Sequence, residues 1–284
     1  MLYSLYRIGR YMALMLPLKA CYAAAVFLAD IYYLFARRDK IDLEYNLTIV
    51  LGKKDKKLIR RYIRNVFRNF AKYLADFFRF SKLNRDFMLS RITVEGKENL
   101  DKALAKGNGL ILVAAHMGNW ELGAAIVASL GYPLYVIALD HKDKRINDFF
   151  LEQRAVADVK VIPVGAQLKN CFRILRKNNL LAIAGDRVFS DYGVSANFFG
   201  RKAYLPKGTA FFSLKTGAAI IPTFTLRRKD DTFKMVFEQP IESAPGVADE
   251  AGIKGVMQRY LPVIEKYIRS YPDQWYAFRK MWQE

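Results

Sequence analysis

The chain has 284 residues, of which 52% are hydrophobic and 14% aromatic, and its 46 Lys and Arg against 27 Asp and Glu give a formal net charge of +19. A chain this apolar is not intrinsically disordered despite its charge, and two cysteines, Cys21 and Cys171, exclude a disulfide framework and a cysteine-rich zinc site. Strong positive charge on an apolar chain indicates an anionic partner, such as an acidic membrane, a nucleic acid, an acidic protein or a phosphorylated substrate.

Residues 1–90 carry much of this charge, with 18 Lys and Arg against 7 Asp and Glu. We predict that they form a helical membrane-associating region, followed by an α/β domain over residues 91–284. Residues 11–36 read as one apolar helix, interrupted by Pro17, Lys19 and Asp30. The segment is long enough for the ~20 residues of a membrane span, but its charged residues are costly in hydrocarbon. A helix lying in the membrane interface, a single-pass anchor and a helix buried against the domain all fit.

The next segment, residues 53–78, has apolar side chains at spacings of three and four, which predicts a helix with one apolar face. Such a helix has either a solvated cationic face or a face that binds an anionic leaflet. Charge alone also permits nucleic acid, but no zinc-finger, RNP or KH pattern is present, so we expect no nucleic-acid partner. The basic residues of this segment are Lys53, Lys54, Lys56, Lys57, Arg60, Arg61, Arg64 and Arg68.

From about residue 91 the chain alternates between predicted strands and helices. The unbroken apolar run at 110–115 is typical of a strand buried on both faces. This alternation predicts an α/β fold with a mainly parallel central sheet flanked by helices. Strands are predicted at 91–94, 110–115, 135–139, 159–164, 180–184, 219–226 and 233–238, and helices at 121–130, 144–157, 167–177, 206–216 and 252–271.

His116 follows a buried strand, and Gly118 and Asn119 after it suit a tight turn and a helix N-cap. Glu121 then falls in the first helical turn, from which it can bend back toward the imidazole. A carboxylate bound to one ring nitrogen leaves the other nitrogen able to take a proton from an alcohol. Asp186, which also follows a buried strand, can reach the same edge of the sheet. The alternative is that His116 merely caps the helix and Glu121 favours its dipole.

Residues 115–122, AHMGNWEL, resemble the HX4(D/E) block of the bacterial lipid A biosynthesis acyltransferases, a branch of the lysophospholipid acyltransferase superfamily. The third block of the lipid A enzymes often reads Asp-Gln, whereas this chain has Asp186-Arg187, a pair found in relatives that acylate other acceptors. The other matching segments are FFLEQR at 149–154, GDR at 185–187, NFFGRK at 197–202, PKGTA at 206–210, TGAAIIP at 216–222 and DQWY at 273–276, followed by Trp282.

The resemblance implies acyl transfer from a thioester of acyl carrier protein or coenzyme A to a hydroxyl of a membrane lipid, foremost a lipid A precursor of lipopolysaccharide biosynthesis. His116 would be the general base, and Glu121 or Asp186 would orient its imidazole. No metal and no cofactor beyond the thioester co-substrate is expected. The resemblance also places the protein at the cytoplasmic face of the inner membrane, bound to anionic lipid; it leaves the oligomeric state open.

Five further positions are candidates for substrate binding. Arg154 and Arg187 could clamp a phosphate of donor or acceptor, because a planar guanidinium matches phosphate well; a structural salt bridge is the alternative for each. Asn119, Lys207 and Gly208 lie at predicted helix starts, where backbone donors could bind an anion, or where they simply begin a helix.

Two other functions compete with a lipid A enzyme. The first is acylation of another acceptor, such as a lysophospholipid, a phosphatidylinositol mannoside or a different glycolipid. The second is a non-catalytic basic adaptor at the membrane surface, which retained the fold and lost the chemistry. The joint presence of His116, Glu121, Arg154, Asp186 and Arg187 argues against the adaptor.

Overall fold

The structure, a computed structural model, describes residues 2–52, 55–165, 169–188 and 193–282. Lys53 and Lys54 of the predicted basic helix, and residues 167–168 of another predicted helix, lie outside the described residues. The helices are α1 (Leu2–Met15), α2 (Leu18–Phe35), α3 (Arg37–Leu51), α4 (Lys56–Phe78), α5 (Arg85–Arg91), α6 (Lys97–Leu104), α7 (Trp120–Ser129), α8 (Lys144–Val156), α9 (Lys169–Arg176), α10 (Gly208–Thr216) and α11 (Glu250–Ser270). The strands are β1 (Ile92–Glu95), β2 (Leu110–Ala114), β3 (Leu134–Ala138), β4 (Lys160–Pro163), β5 (Leu180–Ala184), β6 (Gly193–Phe198), β7 (Arg201–Pro206), β8 (Ala219–Arg227) and β9 (Phe233–Phe237).

A seven-stranded sheet with the order β1-β9-β8-β2-β5-β3-β4 forms the centre of the molecule. The five strands from β8 to β4 run parallel, while β9 is antiparallel to β8 and β1 runs alongside β9. Every residue of β8 is buried, as expected for a strand covered on both faces. The predicted fold, a mainly parallel sheet flanked by helices, is therefore confirmed.

A separate hairpin of β6 and β7 was not predicted as strands from the sequence. Its turn consists of Phe199 and Gly200, both with positive φ, which is the geometry of the two-residue turns that match the twist of a hairpin. Phenylalanine is rare at such a position, so the residue type gave little signal for a turn. The hairpin ends at Pro206, which is why the helix predicted from 206 begins only at Gly208.

The single helix predicted over residues 11–36 is wrong, because the chain breaks into α1 and α2 at Pro17. Proline has no backbone N–H and disfavours the helical conformation in the residue before it. Arg79 compensates for part of the break, since its guanidinium donates hydrogen bonds to the carbonyl oxygens of Ala13 and Leu16 at the end of α1.

Helix α2 packs along α4 through two polar contacts. The Tyr22 hydroxyl donates to Asp76, and the Asp30 carboxylate accepts bonds of 2.6 to 3.0 Å from Arg64 and Arg68. These arginines compensate for the charge of Asp30. By length and composition α2 could cross a membrane, and 17% of its residues are buried in the protein.

The outward faces of α1 and α2 are apolar and exposed to solvent. The spacing of these residues along each helix places them on one face, opposite the side that packs on the protein. They are Leu2, Leu5, Ile8, Tyr11, Met12 and Met15 in α1, and Phe27, Leu28, Ile31, Tyr32, Leu34 and Phe35 in α2.

Residues before and after the expected boundary near residue 90 share a hydrophobic core. Tyr22 and Phe77 from the N-terminal helices lie in the same buried cluster as Leu112 and Ile126 of the α/β part. Asn46 of α3, which is fully buried, is hydrogen-bonded to the backbone of Ala277, Arg279 and Met281. The division at residue 90 remains a prediction.

Replacing Asn46 by Ala should lower the free energy of unfolding by about 3 kcal/mol, since the carbonyl groups of Ala277 and Arg279 and the N–H of Met281 lose their partner in a buried site. Denaturant unfolding of the purified protein measures this. Thr48→Ala, on the exposed face of the same helix, is the control and should change stability by less than about 0.5 kcal/mol. Equal losses in both variants would contradict the assigned role of Asn46.

Candidate active site

The register of two neighbouring strands brings His116 and Asp186 together. Strands β2 and β5 are parallel, with Ala114 opposite Ala184, and each of the two site residues lies two positions beyond its strand. They therefore meet at the carboxyl edge of the sheet. His116 Nδ1 lies 2.8 Å from Asp186 Oδ1, with the carboxylate fully buried and 19% of the histidine side chain exposed.

The second oxygen of Asp186 accepts a hydrogen bond of 3.0 Å from the indole Nε1 of Trp275. Burial alone would raise the pKa of Asp186. The charge and hydrogen bond of His116, the charge of Arg187 and the Trp275 bond outweigh burial, so that pKa lies below its ordinary value. Asp186 is thus a carboxylate at neutral pH, and an ionised carboxylate at Nδ1 holds the proton of a neutral imidazole on that nitrogen.

A C-terminal segment, residues 274–276, holds the turn that carries His116. The backbone N–H of Tyr276 donates to the His116 carbonyl at 2.9 Å, and the Tyr276 hydroxyl donates to the Gly118 carbonyl at 3.0 Å. The Gly118 N–H donates to the Gln274 carbonyl at 2.8 Å. Gly118 has φ of +59°, and a Cβ there would lie 2.0 Å from the Thr225 carbonyl oxygen, so only glycine fits. The DQWY motif is the sequence signal for this segment, but the motif alone does not indicate that it contacts the His116 turn.

Glu121 is hydrogen-bonded to Arg154 of α8. It was one of the two carboxylates predicted to orient the His116 imidazole, but it does not bind the ring. The guanidinium donates two bonds, from Nε to Oε2 at 3.0 Å and from Nη2 to Oε1 at 2.6 Å, and both side chains are largely buried. Burial acts to lower the pKa of Arg154, but the Glu121 carboxylate outweighs it and raises that pKa. The first turn of α7 directs Glu121 toward α8, so Asp186 is the carboxylate that contacts His116.

Asn119 is the N-cap of α7, as its sequence position predicted. Its Oδ1 accepts a bond of 3.0 Å from the Leu122 N–H, and its Nδ2 donates to Asp76 Oδ2 at 2.8 Å. The side chain is fully buried. This position does not support the prediction that Asn119 binds substrate, because both of its polar groups bond within the protein.

A cavity of about 750 Å³ opens at the carboxyl ends of the parallel strands. His116, Glu121, Arg154 and Arg187 contribute to its lining, together with Lys207 and Gly208 at the start of α10. The lining also extends along α7 as far as Val127 and along β3 as far back as Leu134, where it is apolar. Trp120 lines the cavity, whereas Phe198 and Phe199 of the NFFGRK segment pack against Trp275 and Trp282 in the core.

The whole chain, residues 1–284, matches the family described as bacterial lipid A biosynthesis acyltransferase. The chain belongs to this family. It is therefore an acyltransferase, and the enzyme class expected from the sequence is confirmed.

Individual relatives of this acyltransferase differ in their acceptors. A phosphatidylinositol mannoside acyltransferase of Mycolicibacterium smegmatis is 24% identical over 265 residues, covering 92% of this chain and 85% of the relative. One of the same name from Mycobacterium tuberculosis H37Rv is 26% identical over 187 residues, covering 64% of this chain and 59% of the relative. The lipid A biosynthesis palmitoleoyltransferase of Escherichia coli K12 is 25% identical over 185 residues, covering 64% and 58%.

Arg187 of this acyltransferase lies between the His116–Asp186 pair and residues 274–276. Its guanidinium donates a bond of 3.0 Å to the Tyr276 carbonyl, and burial lowers its pKa. The same side chain lines the cavity, as do Lys207 and Gly208. Four of the five predicted substrate-binding residues therefore line the cavity at the carboxyl edge of the sheet, with Arg154 held there as the partner of Glu121.

Replacing Trp275 by Phe should lower the free energy of unfolding at pH 7 by about 2 kcal/mol, because the Asp186 carboxylate loses a donor. The folded-state pKa of Asp186 is depressed, so its contribution to stability is present above the unfolded pKa of about 3.9 and is lost as the pH falls. The deficit of the variant should therefore persist at about pH 4 and shrink only at lower pH, where Asp186 becomes protonated in the folded protein. Denaturant unfolding at several pH values measures it.

Trp282→Phe is the matched control for this experiment. The Trp282 indole donates a bond of 3.1 Å to the neutral carbonyl of Phe198, so its loss should cost about 1 kcal/mol at every pH. The same pH dependence in both variants would contradict the assigned role of Trp275.

Proposed function

We propose that this protein transfers a fatty acyl chain from an acyl thioester to a hydroxyl of a membrane glycolipid, with His116 as the general base. The observation that carries this proposal is the contact of 2.8 Å between His116 Nδ1 and the buried carboxylate of Asp186, beside a largely apolar cavity. A histidine held in this way can take a proton from an alcohol at neutral pH.

The reaction needs one proton relay. The acceptor hydroxyl gives its proton to His116 Nε2 while its oxygen attacks the thioester carbonyl, which forms a tetrahedral intermediate. The carbon–sulfur bond then breaks, and the imidazolium returns the proton to the leaving thiolate. Asp186 stabilises the imidazolium between these steps, and no acyl-enzyme is formed because the acceptor oxygen is the nucleophile.

Binding of the two substrates would divide between the parts of the cavity. The apolar part along α7 suits the acyl chain, and a cavity of about 750 Å³ is within the usual range for ligand pockets. Arg187, Lys207 and the backbone at Gly208 suit a phosphate, which both acyl carrier protein and coenzyme A thioesters carry. The Glu121–Arg154 pair would form the wall between helices α7 and α8.

The acceptor we favour is a phosphatidylinositol mannoside or a similar anionic glycolipid. The alignment with the mycolicibacterial enzyme of that name covers 92% of the chain, whereas that with the lipid A enzyme of Escherichia coli covers 64%. The Asp186-Arg187 pair also departs from the usual Asp-Gln of the lipid A enzymes. A lipid A precursor, placed first in the sequence analysis, remains the second candidate, because it offers the same chemistry of sugar and phosphate.

The membrane partner would be an anionic leaflet at the cytoplasmic face of the inner membrane. Of the three interpretations of the N-terminal helices, the contacts favour helices lying in the interface. Tyr22 and Asp30 hold one face of α2 against α4, and the opposite face is apolar and exposed. The basic residues of α4 add attraction to anionic lipid.

His116→Ala should reduce the initial rate of acyl transfer by at least about 100-fold, and Asp186→Asn should reduce it by a similar factor, since general-base catalysis and its orienting charge are lost. Radiolabelled acyl thioester and extracted acceptor lipid give the rate. Glu250→Gln, which removes an exposed carboxylate at the start of α11, is the control and should retain the wild-type rate. A His116→Ala protein that is folded and fully active would refute the mechanism.

Purified enzyme given both acceptors should transfer the acyl chain faster to phosphatidylinositol mannoside than to a lipid A precursor. Mass spectrometry of the products identifies the acceptor and the acyl chain. Preference for the lipid A precursor would reverse the assignment of the acceptor and leave the mechanism unchanged.

The double variant Phe27→Glu and Leu34→Glu should bind vesicles containing phosphatidylglycerol at least about tenfold more weakly, because each change removes about 1.5 to 3 kcal/mol of apolar burial in the interface. Co-sedimentation with vesicles measures binding, and thermal unfolding checks the fold. Val247→Glu, at an exposed apolar residue before α11, is the matched control and should not alter binding. Unchanged binding of the double variant would show that α2 does not contact the membrane surface.

A further inference from the structure

A buried carboxylate, Asp76 of α4, connects the N-terminal helices with the catalytic turn. Its side chain is almost fully buried and accepts hydrogen bonds from the Tyr22 hydroxyl, from Asn119 Nδ2 at 2.8 Å and from the guanidinium of Arg227. These three donors come from α2, from the start of α7 and from the end of β8. One carboxylate therefore fixes three elements relative to one another.

On the catalytic side, the contact reaches the turn that holds His116. Asn119 is three residues after His116, and it caps α7 through the Leu122 N–H. Its backbone N–H donates to the Thr225 carbonyl at 2.8 Å. A shift of Asn119 would therefore move the start of α7 and the His116 turn together, and misplacement by ~1 Å can cost about 100-fold in rate.

On the membrane side, the contact begins in the helix with the exposed apolar face. The ring of Tyr22 is buried and lies 5.0 Å from the guanidinium of Arg227 and 5.4 Å from the Lys72 ammonium. Farther along the same helix, Phe27 and Leu34 are exposed. Helix α2 therefore carries both the exposed apolar face and the hydroxyl that donates to Asp76.

The charges around Asp76 balance without the Tyr22 hydroxyl. Arg227 contacts both Asp76 and Asp231, and Lys72 lies 2.8 Å from Asp231, so two cations offset two carboxylates. Buried ions need such partners to be stable. The hydroxyl of Tyr22 is a neutral donor in this network, so its removal leaves every ion pair in place and takes away the bond between α2 and Asp76.

We propose that Asp76 is a positioning residue for acyl transfer, and that Tyr22 makes the geometry of the His116 turn depend on the position of α2 at the membrane. This inference rests on the proposed function of His116, because it concerns the placement of that residue. It predicts that the enzyme is more active on acceptor in vesicles than on acceptor dispersed in detergent, and that the difference depends on the Tyr22 hydroxyl.

The test is Tyr22→Phe, measured with acceptor in phosphatidylglycerol-containing vesicles and in detergent micelles. We expect kcat on vesicles to fall about tenfold, less than the ~100-fold of a full 1 Å displacement, with KM for the acyl donor unchanged within about twofold. The ratio of vesicle to detergent activity should fall toward one. Vesicle binding should be that of wild type, since the apolar face is intact.

Tyr33→Phe is the matched control, because Tyr33 lies on the same helix and packs its ring on Phe67. It should retain the wild-type kcat and activity ratio. Asn119→Asp is the second variant: it keeps an oxygen to cap α7 and places a carboxylate against Asp76. It should lose kcat at least as strongly as Tyr22→Phe, again with KM for the donor unchanged.

Two results would overturn the inference. One is a Tyr22→Phe protein with wild-type kcat and activity ratio while His116→Ala is inactive, which leaves the proposed function standing. The other is a loss of activity that is equal on vesicles and in detergent and follows a loss of thermal stability, which would make Tyr22 purely structural. An active His116→Ala protein would refute the proposed function and this inference with it.

Discussion

The parallel register between β2 and β5 is the constraint on which the site depends. Because Ala114 lies opposite Ala184, the residues two positions farther along each segment, His116 and Asp186, also come into contact. A shift by one residue would turn each side chain to the other face of its strand, since successive side chains alternate. The sheet is buried on both faces, and its packing fixes this register. The same packing therefore fixes the pairing of His116 with Asp186.

The buried carboxylate of Asp186 needs hydrogen-bond donors from other parts of the fold. Asp186 obtains one partner, His116, from the turn after β2 and a second, Trp275, from the segment after α11. The same segment, residues 274–276, is hydrogen-bonded to the carbonyl of His116 and to the backbone of Gly118. The site is thus built on the sheet and closed by residues that lie far from it in sequence.

The central sheet and the location of the site could be predicted from the sequence, because each depends on short local patterns of apolar and polar residues. An apolar run followed by His116, and another followed by Asp186, place both at one edge of the sheet. Which carboxylate contacts His116 could not be predicted, because Glu121 and Asp186 were both within reach until α8 placed Arg154 beside one of them. The break at Pro17 was visible in the sequence, but the apolar composition around it suggested a continuous helix. The role of Asn119 toward Asp76 depends on a contact between α4 and α7, which no local pattern encodes.

The bond between Trp275 and Asp186 also orders events during synthesis. The two residues are 89 positions apart, so at ~5 to 20 residues per second several seconds pass between them on the ribosome. In that interval the segments that form β2 and β5 have both been synthesised, whereas the indole has not. The Asp186 carboxylate can therefore obtain its second partner only after Trp275 has been added to the chain. The order of synthesis thus places completion of the site after the strands that carry it.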